Sequence, residues 1–182
     1  GTYWVYIRTD ADNEVYEGGG AGETNNDSEL LPLTVTQHLS DLQVVSLTAP
    51  EIAASGETIT LQWQVQNLGT GRTNANWWYD AIYLSTDPTI TTGDRLLLDA
   101  YRTNALDPAE SYNVSRSVTI PTDLPAGTYY LGVYADRHNH VLEGAEDNNG
   151  RVATSPEGVP IGYSFTPITV IPDLTIVSVD AP

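Results

Sequence analysis

The chain contains no cysteine, no methionine and no lysine, and its seven basic residues are all arginine. Without cysteine it can form neither a disulfide framework nor a thiolate metal site. Its 24 acidic residues leave a formal net charge of −17, which repels the phosphates of nucleic acids and of anionic membranes. No segment reaches the roughly 18 apolar residues that a membrane span requires. We predict no nucleic-acid partner and no membrane span, and a surface that either attracts divalent cations or keeps the protein soluble in saline surroundings.

Two pairs of segments repeat in the same order along the chain. Residues 1–26 begin GTYWVYIRTDADNEVYEGG and match residues 127–149, GTYYLGVYADRHNHVLEGAEDNN. Residues 41–50, DLQVVSLTAP, match residues 173–182, DLTIVSVDAP. A single repeat of about 130 residues accounts for both matches. We predict that residues 1–39 are the C-terminal strands of a preceding repeat, that residues 40–171 form one complete repeat, and that residues 172–182 are the first strand of the next.

The complete repeat alternates apolar and polar residues with the period of two that a half-buried strand requires. In the segment TITLQWQVQN, the residues expected to face the core are Ile59, Leu61, Trp63 and Val65. In the first strand of the repeat, Leu42, Val44 and Ser46 are expected to share a face. The predicted strands are DLQVVSLT, TITLQWQVQN, WWYDAIYLS, LLLDA, SYNVSRSVTI, GTYYLGVYAD and one near residues 164–171. Gly, Pro, Asn and Asp turns separate them, so we predict an all-β fold, a seven-stranded Ig or fibronectin III-like β-sandwich in a tandem repeat array.

The complete repeat resembles the CARDB repeat, the cell-adhesion-related domain found in bacteria and archaea. The likeness is carried by DLQVVSLTAP, SGETITLQWQVQNLGTG, YDAIYLSTDPTITTGDRLL, LPAGTYYLGVYAD and NHVLEGAEDNN, which follow one another in the family's order. The resemblance implies a fibronectin-like sandwich, repeated within large secreted or surface-anchored bacterial proteins, with a role in adhesion or extracellular structure. The start of the chain reads as the middle of a strand, which leads us to expect that it is part of a longer protein.

One acidic loop follows the WWYDAIYLS strand, in the segment STDPTITTGDRLL. Asp87 and Asp94 bracket this loop, and Asp80 precedes it on the strand. Calcium takes six to eight oxygen ligands, usually on a tight loop, and this spacing is compatible with such a site. The alternative is that Asp87 and Asp94 are turn formers whose carboxylates accept hydrogen bonds from nearby backbone N–H groups.

A second acidic loop closes the repeat and occurs twice in the chain. Carboxylates on one short loop repel one another unless a cation lies among them, so we predict calcium there as well. The alternative is a solvated loop whose asparagines adopt left-handed backbone angles. The predicted ligands are Asp10, Asp12, Glu17, Glu23 and Asn25 in the first copy, and Asp136, Glu143, Glu146, Asp147 and Asn148 in the second.

The sequence carries no common catalytic pattern: it has no Gly-x-Ser-x-Gly elbow, no HExxH motif and no phosphate-binding loop. His138 and His140 align with Asp12 and Glu14 of the other copy, which is not expected of catalytic histidines. We therefore predict that the chain is not an enzyme and has no organic cofactor.

Our leading hypothesis is an extracellular, secreted or cell-surface stalk or filament repeat stiffened by calcium. Neighbouring copies of the repeat are the expected partners, and they could complete partial sandwiches by supplying strands. The alternative is an adhesin module that recognises a surface glycan or protein. Trp77, Trp78 and Tyr79 are the candidate exposed aromatic residues for that role, although some of these rings must face the core.

Overall fold

The computed structural model describes residues 1–16, 18 and 24–166, and it divides the chain into two compact units, Gly1–His38 and a second that begins at Leu39. In the first unit, β1 (Thr2–Val5) pairs antiparallel with β2 (Leu31–Thr34), and every residue of both strands is exposed. In the same unit, the Arg8 guanidinium donates two hydrogen bonds, of 2.5 and 2.7 Å, to the Asp27 carboxylate. Residues 172–182 lie outside the described residues, and the three-part division into repeats stays a prediction.

The second unit is a β-sandwich, as predicted. Its smaller sheet has the strand order β3-β4-β7, and its larger sheet has the order β10-β8-β5-β6, with β9 also paired to β8. Each strand pair within the two sheets is antiparallel. The strands are β3 (Leu42–Thr48), β4 (Thr58–Asn67), β5 (Trp77–Ser85), β6 (Arg95–Thr103), β7 (Ser111–Thr119), β8 (Gly127–Tyr134), β9 (Gly150–Val152) and β10 (Gly162–Phe165).

The described part of this unit has eight strands where the sequence predicted seven. The additional strand is β9, whose three residues pair with Gly132–Tyr134 and are too short to show an alternating pattern. Beyond β9 the chain leaves the sheet and returns at Ile161, whose N–H donates to the carbonyl of Ala153 at 2.9 Å. The last predicted strand, near residues 164–171, is described only as far as β10, because residues 167–171 lie outside the described residues.

The core lies between the two sheets and follows the predicted alternation, with one exception. Ile59, Leu61, Trp63 and Val65 are all buried, as predicted. In β3, a bulge between Val44 and Ser46 shifts the register against β4. A bulge adds one residue to one strand and so exchanges the two faces beyond it. The prediction that Ser46 shares a face with Leu42 and Val44 was therefore wrong, and Leu47 is the buried residue there.

The outer face of the larger sheet is half covered by the chain itself. Ile90, on the loop between β5 and β6, packs on Ala81 and Tyr83 in a small hydrophobic cluster separate from the main core. Gly132 on β8 leaves room for this side chain, because a Cβ at that position would collide with the Ile90 side chain. The covered half runs from Ala81 towards Ser85, and the first residues of β5 lie beyond it.

Candidate functional site

The two copies of the repeated acidic loop have the same local geometry. Asp10 accepts the backbone N–H groups of Glu14 (2.8 Å) and Val15 (3.0 Å). Asp136 accepts those of His140 (3.1 Å) and Val141 (2.7 Å). Each aspartate has a positive φ, 46° and 45°, which aspartate tolerates better than most residues. Both carboxylates therefore act as turn caps, with each oxygen occupied by a backbone donor.

The loop between β5 and β6 uses its aspartates in the same way. Asp87 accepts the N–H of Thr89 at 2.7 Å, and Asp94 accepts the N–H and the hydroxyl of Thr91 at 2.7 and 3.2 Å. These are the local bonds expected of turn-forming aspartates. They place Ile90 over the sheet, so the loop has a packing role.

Asp80 lies in the core between the two sheets, fully buried. It accepts Trp63 Nε1 at 3.0 Å and the Tyr112 hydroxyl at 2.9 Å, and that hydroxyl in turn accepts Trp78 Nε1 at 3.0 Å. Burial raises the pKa of Asp80 to about 6, and the Trp63 and Tyr112 donors together with the Arg102 charge limit the rise. Asp80 lies five residues before the end of β5, about 16 Å along the strand. The structure does not bring it to the Asp87–Asp94 loop with which the sequence grouped it.

Glu143 connects the end of the repeated loop to the start of β3. It is buried, and its carboxylate accepts the N–H of Leu42 and the side-chain amide of Asn149. Burial raises the pKa of Glu143 to about 8, against the effect of these two donors. The N–H of Glu143 donates to Glu146 at 3.1 Å, so the two glutamates are neighbours.

The remaining predicted metal ligands are dispersed. Asp12, Asn25 and Asp147 are exposed, and Asn148 donates to Asp41 at 2.9 Å. Glu17 and Glu23 lie outside the described residues. Within the described ranges, no three His, Asp or Glu side chains are grouped closely enough to hold one metal ion. Calcium binding stays a prediction. The hydrogen bonds of Asp87 and Asp94 favour the turn-former alternative for their loop, and those of Asp10 and Asp136 give these two carboxylates the same role in the closing loop.

Among the described residues, the half of the larger sheet that Ile90 does not cover carries a cluster of exposed and half-buried rings, here named the aromatic surface. It consists of Trp77 and Tyr79 on β5, Tyr101 on β6, and His138 and His140 from the turn after β8. Trp77 and Tyr101 are 41% and 53% exposed. Trp78 points into the core instead and is fully buried, because successive residues of a strand face opposite sides of the sheet.

Ring contacts join these five side chains into one surface. The closest pair is Trp77 with His140, at 4.3 Å between centroids, and Tyr79 lies 5.1 Å from Tyr101, its cross-strand partner. Tyr79 also contacts His138 edge-on at 5.7 Å. The Arg137 N–H donates to the Tyr79 carbonyl at 2.9 Å and so anchors the histidine turn beside β5. The five rings therefore form one continuous patch across β5, β6 and the histidine turn.

Sequence reasoning identified only part of this surface. It singled out Trp77 and Tyr79, but it did not include Tyr101, His138 or His140. The signal for Tyr101 is available in principle, since a tyrosine in an exposed register on the neighbouring strand faces the same side. The histidines depend on how the Asp136 turn folds back over the sheet, which the alternating pattern does not specify.

Comparisons with known proteins place the second unit in a family. The CARDB family model matches residues 39–153. Among solved structures, the chain is similar to the CARDB domain of a Pyrococcus furiosus protein in complex with di-metal ions, with 19% identity, a TM-score of 0.48, and coverage of 74% of this chain and 95% of that one. A domain of a Methanosarcina acetivorans protein has 27% identity and a TM-score of 0.42, with coverage of 63% and 89%.

A more distant likeness is to β-glucosidase 3B from Thermotoga neapolitana, with 19% identity and a TM-score of 0.38 over 64% of this chain and 17% of that one. No curated protein matches the chain. Among the described residues, the structure contains no helix with the length and hydropathy of a membrane span.

Proposed function

The chain belongs to the CARDB family, and from this we propose that it is an extracellular adhesive module, which holds a ligand-binding surface on a rigid β-sandwich. The family is named for cell adhesion. The observation that carries the proposal is the aromatic surface, where five rings lie together on an uncovered half-sheet. Exposed aromatic clusters are typical of interaction sites, because a soluble protein gains nothing by leaving such area in water.

The same geometry argues against a catalytic role. Asp80 and Glu143 are buried carboxylates whose pKa is raised by burial, to about 6 and about 8. Both are bonded to groups of the protein itself, Asp80 to Trp63 and Tyr112 and Glu143 to Leu42 and Asn149. These bonds fix the two sheets and the start of β3, so we assign both carboxylates a structural role and propose that the chain is not an enzyme.

Adhesion is tested by coating fluorescent beads with the purified chain and measuring their retention on intact cells of the source organism and of its neighbours. We expect retention that excess soluble chain abolishes. Antibodies raised against the chain should also label intact, unpermeabilised cells of the source organism. Retention no greater than that of albumin-coated beads would count against the adhesive function, and labelling only after permeabilisation would count against the extracellular location.

A second candidate is the calcium-stiffened stalk or filament repeat. One feature favours it: the Oδ1 atom of Asn148 is buried without a hydrogen-bond donor, beside a chain segment that also supplies Glu143, Glu146 and Asp147. Calcium selects carboxylate and amide oxygens of this kind. Strand exchange with neighbouring copies of the repeat belongs to this candidate.

The stalk candidate is tested by thermal unfolding in excess EDTA and in millimolar calcium. Binding to the folded state raises the melting temperature by mass action, and a rise of several degrees is expected if the closing loop holds calcium. The Asn148→Ala variant should lose that rise, whereas Asp87→Ala should keep it. Equal melting temperatures in EDTA and calcium would remove the role of calcium and leave the adhesive proposal untouched.

A further inference from the structure

The aromatic surface has unused polar atoms as well as exposed ring faces. Among the described residues, no hydrogen-bond partner is found for the indole N–H of Trp77, the hydroxyls of Tyr79 and Tyr101 or the ring nitrogens of His138. The Nδ1 atom of His140 is buried and lies 3.8 Å from an Asp136 carboxylate oxygen, so it is not one of the atoms open to a ligand. Flat apolar faces bordered by free donors and acceptors suit a ligand that is itself apolar on its faces and polar around its rim.

The charge around the surface argues for a neutral ligand. None of the five ring side chains is an acid or an arginine, and the charged groups beside them are paired or buried. Arg137 is paired with Asp99 at 2.7 Å, and the Asp136 carboxylate, 3.8 Å from His140 Nδ1, is fully buried. Aromatic surfaces also stack nucleic-acid bases, but proteins that do so supply a basic groove for the backbone phosphates. A chain with a formal net charge of −17 and seven arginines offers no such groove and repels phosphate.

The position of the surface explains why it remains open. β8 pairs with β5 only from Ala81 onward, and the Ile90 loop covers that paired half of the sheet. Trp77 and Tyr79 precede it, with β6 on one side and the histidine turn on the other. The ring centroids lie 4.3 to 6.4 Å apart, so a chain of linked sugar rings can contact several of them at once.

We propose that the aromatic surface is a binding site for a neutral oligosaccharide. Pyranose faces stack on the exposed rings of Trp77 and Tyr101, while the sugar hydroxyls bond to Tyr79 and His138. This inference rests on the proposed adhesive function and names the ligand class for the same surface. A neutral, flat and extended carbohydrate is favoured over a protein partner, since the five residues combine stacking faces with a polar rim and include no aliphatic side chain.

The test is isothermal titration calorimetry of the full chain with four neutral hexasaccharides: cellohexaose, mannohexaose, chitohexaose and maltohexaose. We expect at least one to bind with a dissociation constant of millimolar or tighter. Trp77→Ala and Tyr101→Ala should each weaken that binding at least tenfold. Affinity should change less than twofold between 50 and 500 mM NaCl, because no charges meet in the complex.

Leu96→Ala is the matched control, since Leu96 is 40% exposed on the same strand as Tyr101 but lies about five residues away. This variant should bind as the parent does. Far-ultraviolet circular dichroism and the melting temperature show whether each variant is folded. If Trp77→Ala fails to fold, Tyr101→Ala decides the outcome, because its side chain is more than half exposed.

Three outcomes would overturn the inference. These are no binding of any of the four sugars, binding that survives both alanine substitutions, and preferential binding of the anionic hexagalacturonate. If chain-coated beads still adhere to cells in these cases, the adhesive function stands and only the ligand class is wrong. If the beads do not adhere while a neutral hexasaccharide binds at Trp77 and Tyr101, the ligand class stands and the adhesive function is wrong.

Discussion

The hydrogen-bond network around Asp80 makes a strong prediction about stability, which the Tyr112→Phe variant tests. The Tyr112 hydroxyl donates to Asp80 and accepts the N–H of Trp78, so it joins two otherwise unconnected buried groups. Phenylalanine keeps the ring and its packing but leaves the Trp78 N–H without an acceptor. An unsatisfied buried donor costs about 1–3 kcal/mol, and a lost bond to a charged group about 1.5–3 kcal/mol.

The cleft beside this network moderates that cost. Arg102 and Tyr112 line an opening of about 390 Å³ between β6 and β7, through which water reaches the edge of the network. Water that replaces part of the lost hydrogen bonding makes the total cost smaller than the sum of the two separate costs. We therefore expect Tyr112→Phe to reduce the free energy of unfolding by about 2–4 kcal/mol. For a chain of this length that corresponds to roughly 5–15 °C in melting temperature.

The assay is urea unfolding at pH 7 followed by tryptophan emission, with Tyr101→Phe as the matched control. Tyr101 is exposed, and its hydroxyl has no partner among the described residues, so its change should stay within about 0.5 kcal/mol. The effects of Tyr112→Phe and Trp63→Phe should not add, because both side chains donate to one carboxylate. A loss below about 0.5 kcal/mol for Tyr112→Phe, with an unchanged m-value, would refute the reasoning.

Three further predictions follow from the other buried carboxylates and from the covered half-sheet. The pKa of Glu143 is raised from 4.5 to about 8, so its contribution to stability is complete below pH 4.5 and is lost as pH rises through 8. In urea titrations between pH 6.5 and 9, the free energy of unfolding should therefore fall as the pH rises. The Glu143→Gln variant should lose this pH dependence, whereas Glu146→Gln should keep it. Equal pH dependence in the two variants would contradict the assignment. Asp136→Ala removes the fully buried acceptor of two backbone N–H groups and should cost about 2–4 kcal/mol, against less than about 1 kcal/mol for Asp94→Ala on a loop whose hydrogen bonds are exposed, both measured by urea unfolding. Ile90→Ala should reduce the free energy of unfolding by about 1–3 kcal/mol and increase hydrogen exchange in the Ala81–Ser85 segment. Unchanged exchange in that segment would contradict the claim that Ile90 covers it.

The all-β sandwich was predictable from the sequence because burial acts on each strand separately. Ile59, Leu61, Trp63 and Val65 alternate with polar residues, and one face of an antiparallel strand must meet the core. The bulge in β3 was not predictable, since it depends on the pairing register with β4. The three-residue β9 was missed because it is held by pairing with β8, while its own sequence has too few residues to show a period.

The aromatic surface was only partly predictable, for a related reason. Alternation along β5 puts either Trp77 and Tyr79 or Trp78 and Asp80 towards water, and the sequence alone does not decide between the two. In the structure Trp78 and Asp80 face the core, where Asp80 accepts hydrogen bonds from Trp63 and Tyr112. A buried acid is tolerated only when such partners exist, and those partners lie on strands distant in sequence.

The acidic loops show why turn formers and calcium ligands look alike in a sequence. Both roles need short carboxylates on tight loops beside glycine or asparagine, so the residue types and spacings coincide. They differ in where the backbone N–H groups point. In the turns of Asp10 and Asp136 the following N–H groups point inward and occupy both oxygens, and a cation could bind those oxygens only if the turn opened. The Asn148 amide oxygen is buried and accepts no such donor, so it is the oxygen of the closing loop that a calcium ion of the proposed stalk would have to engage.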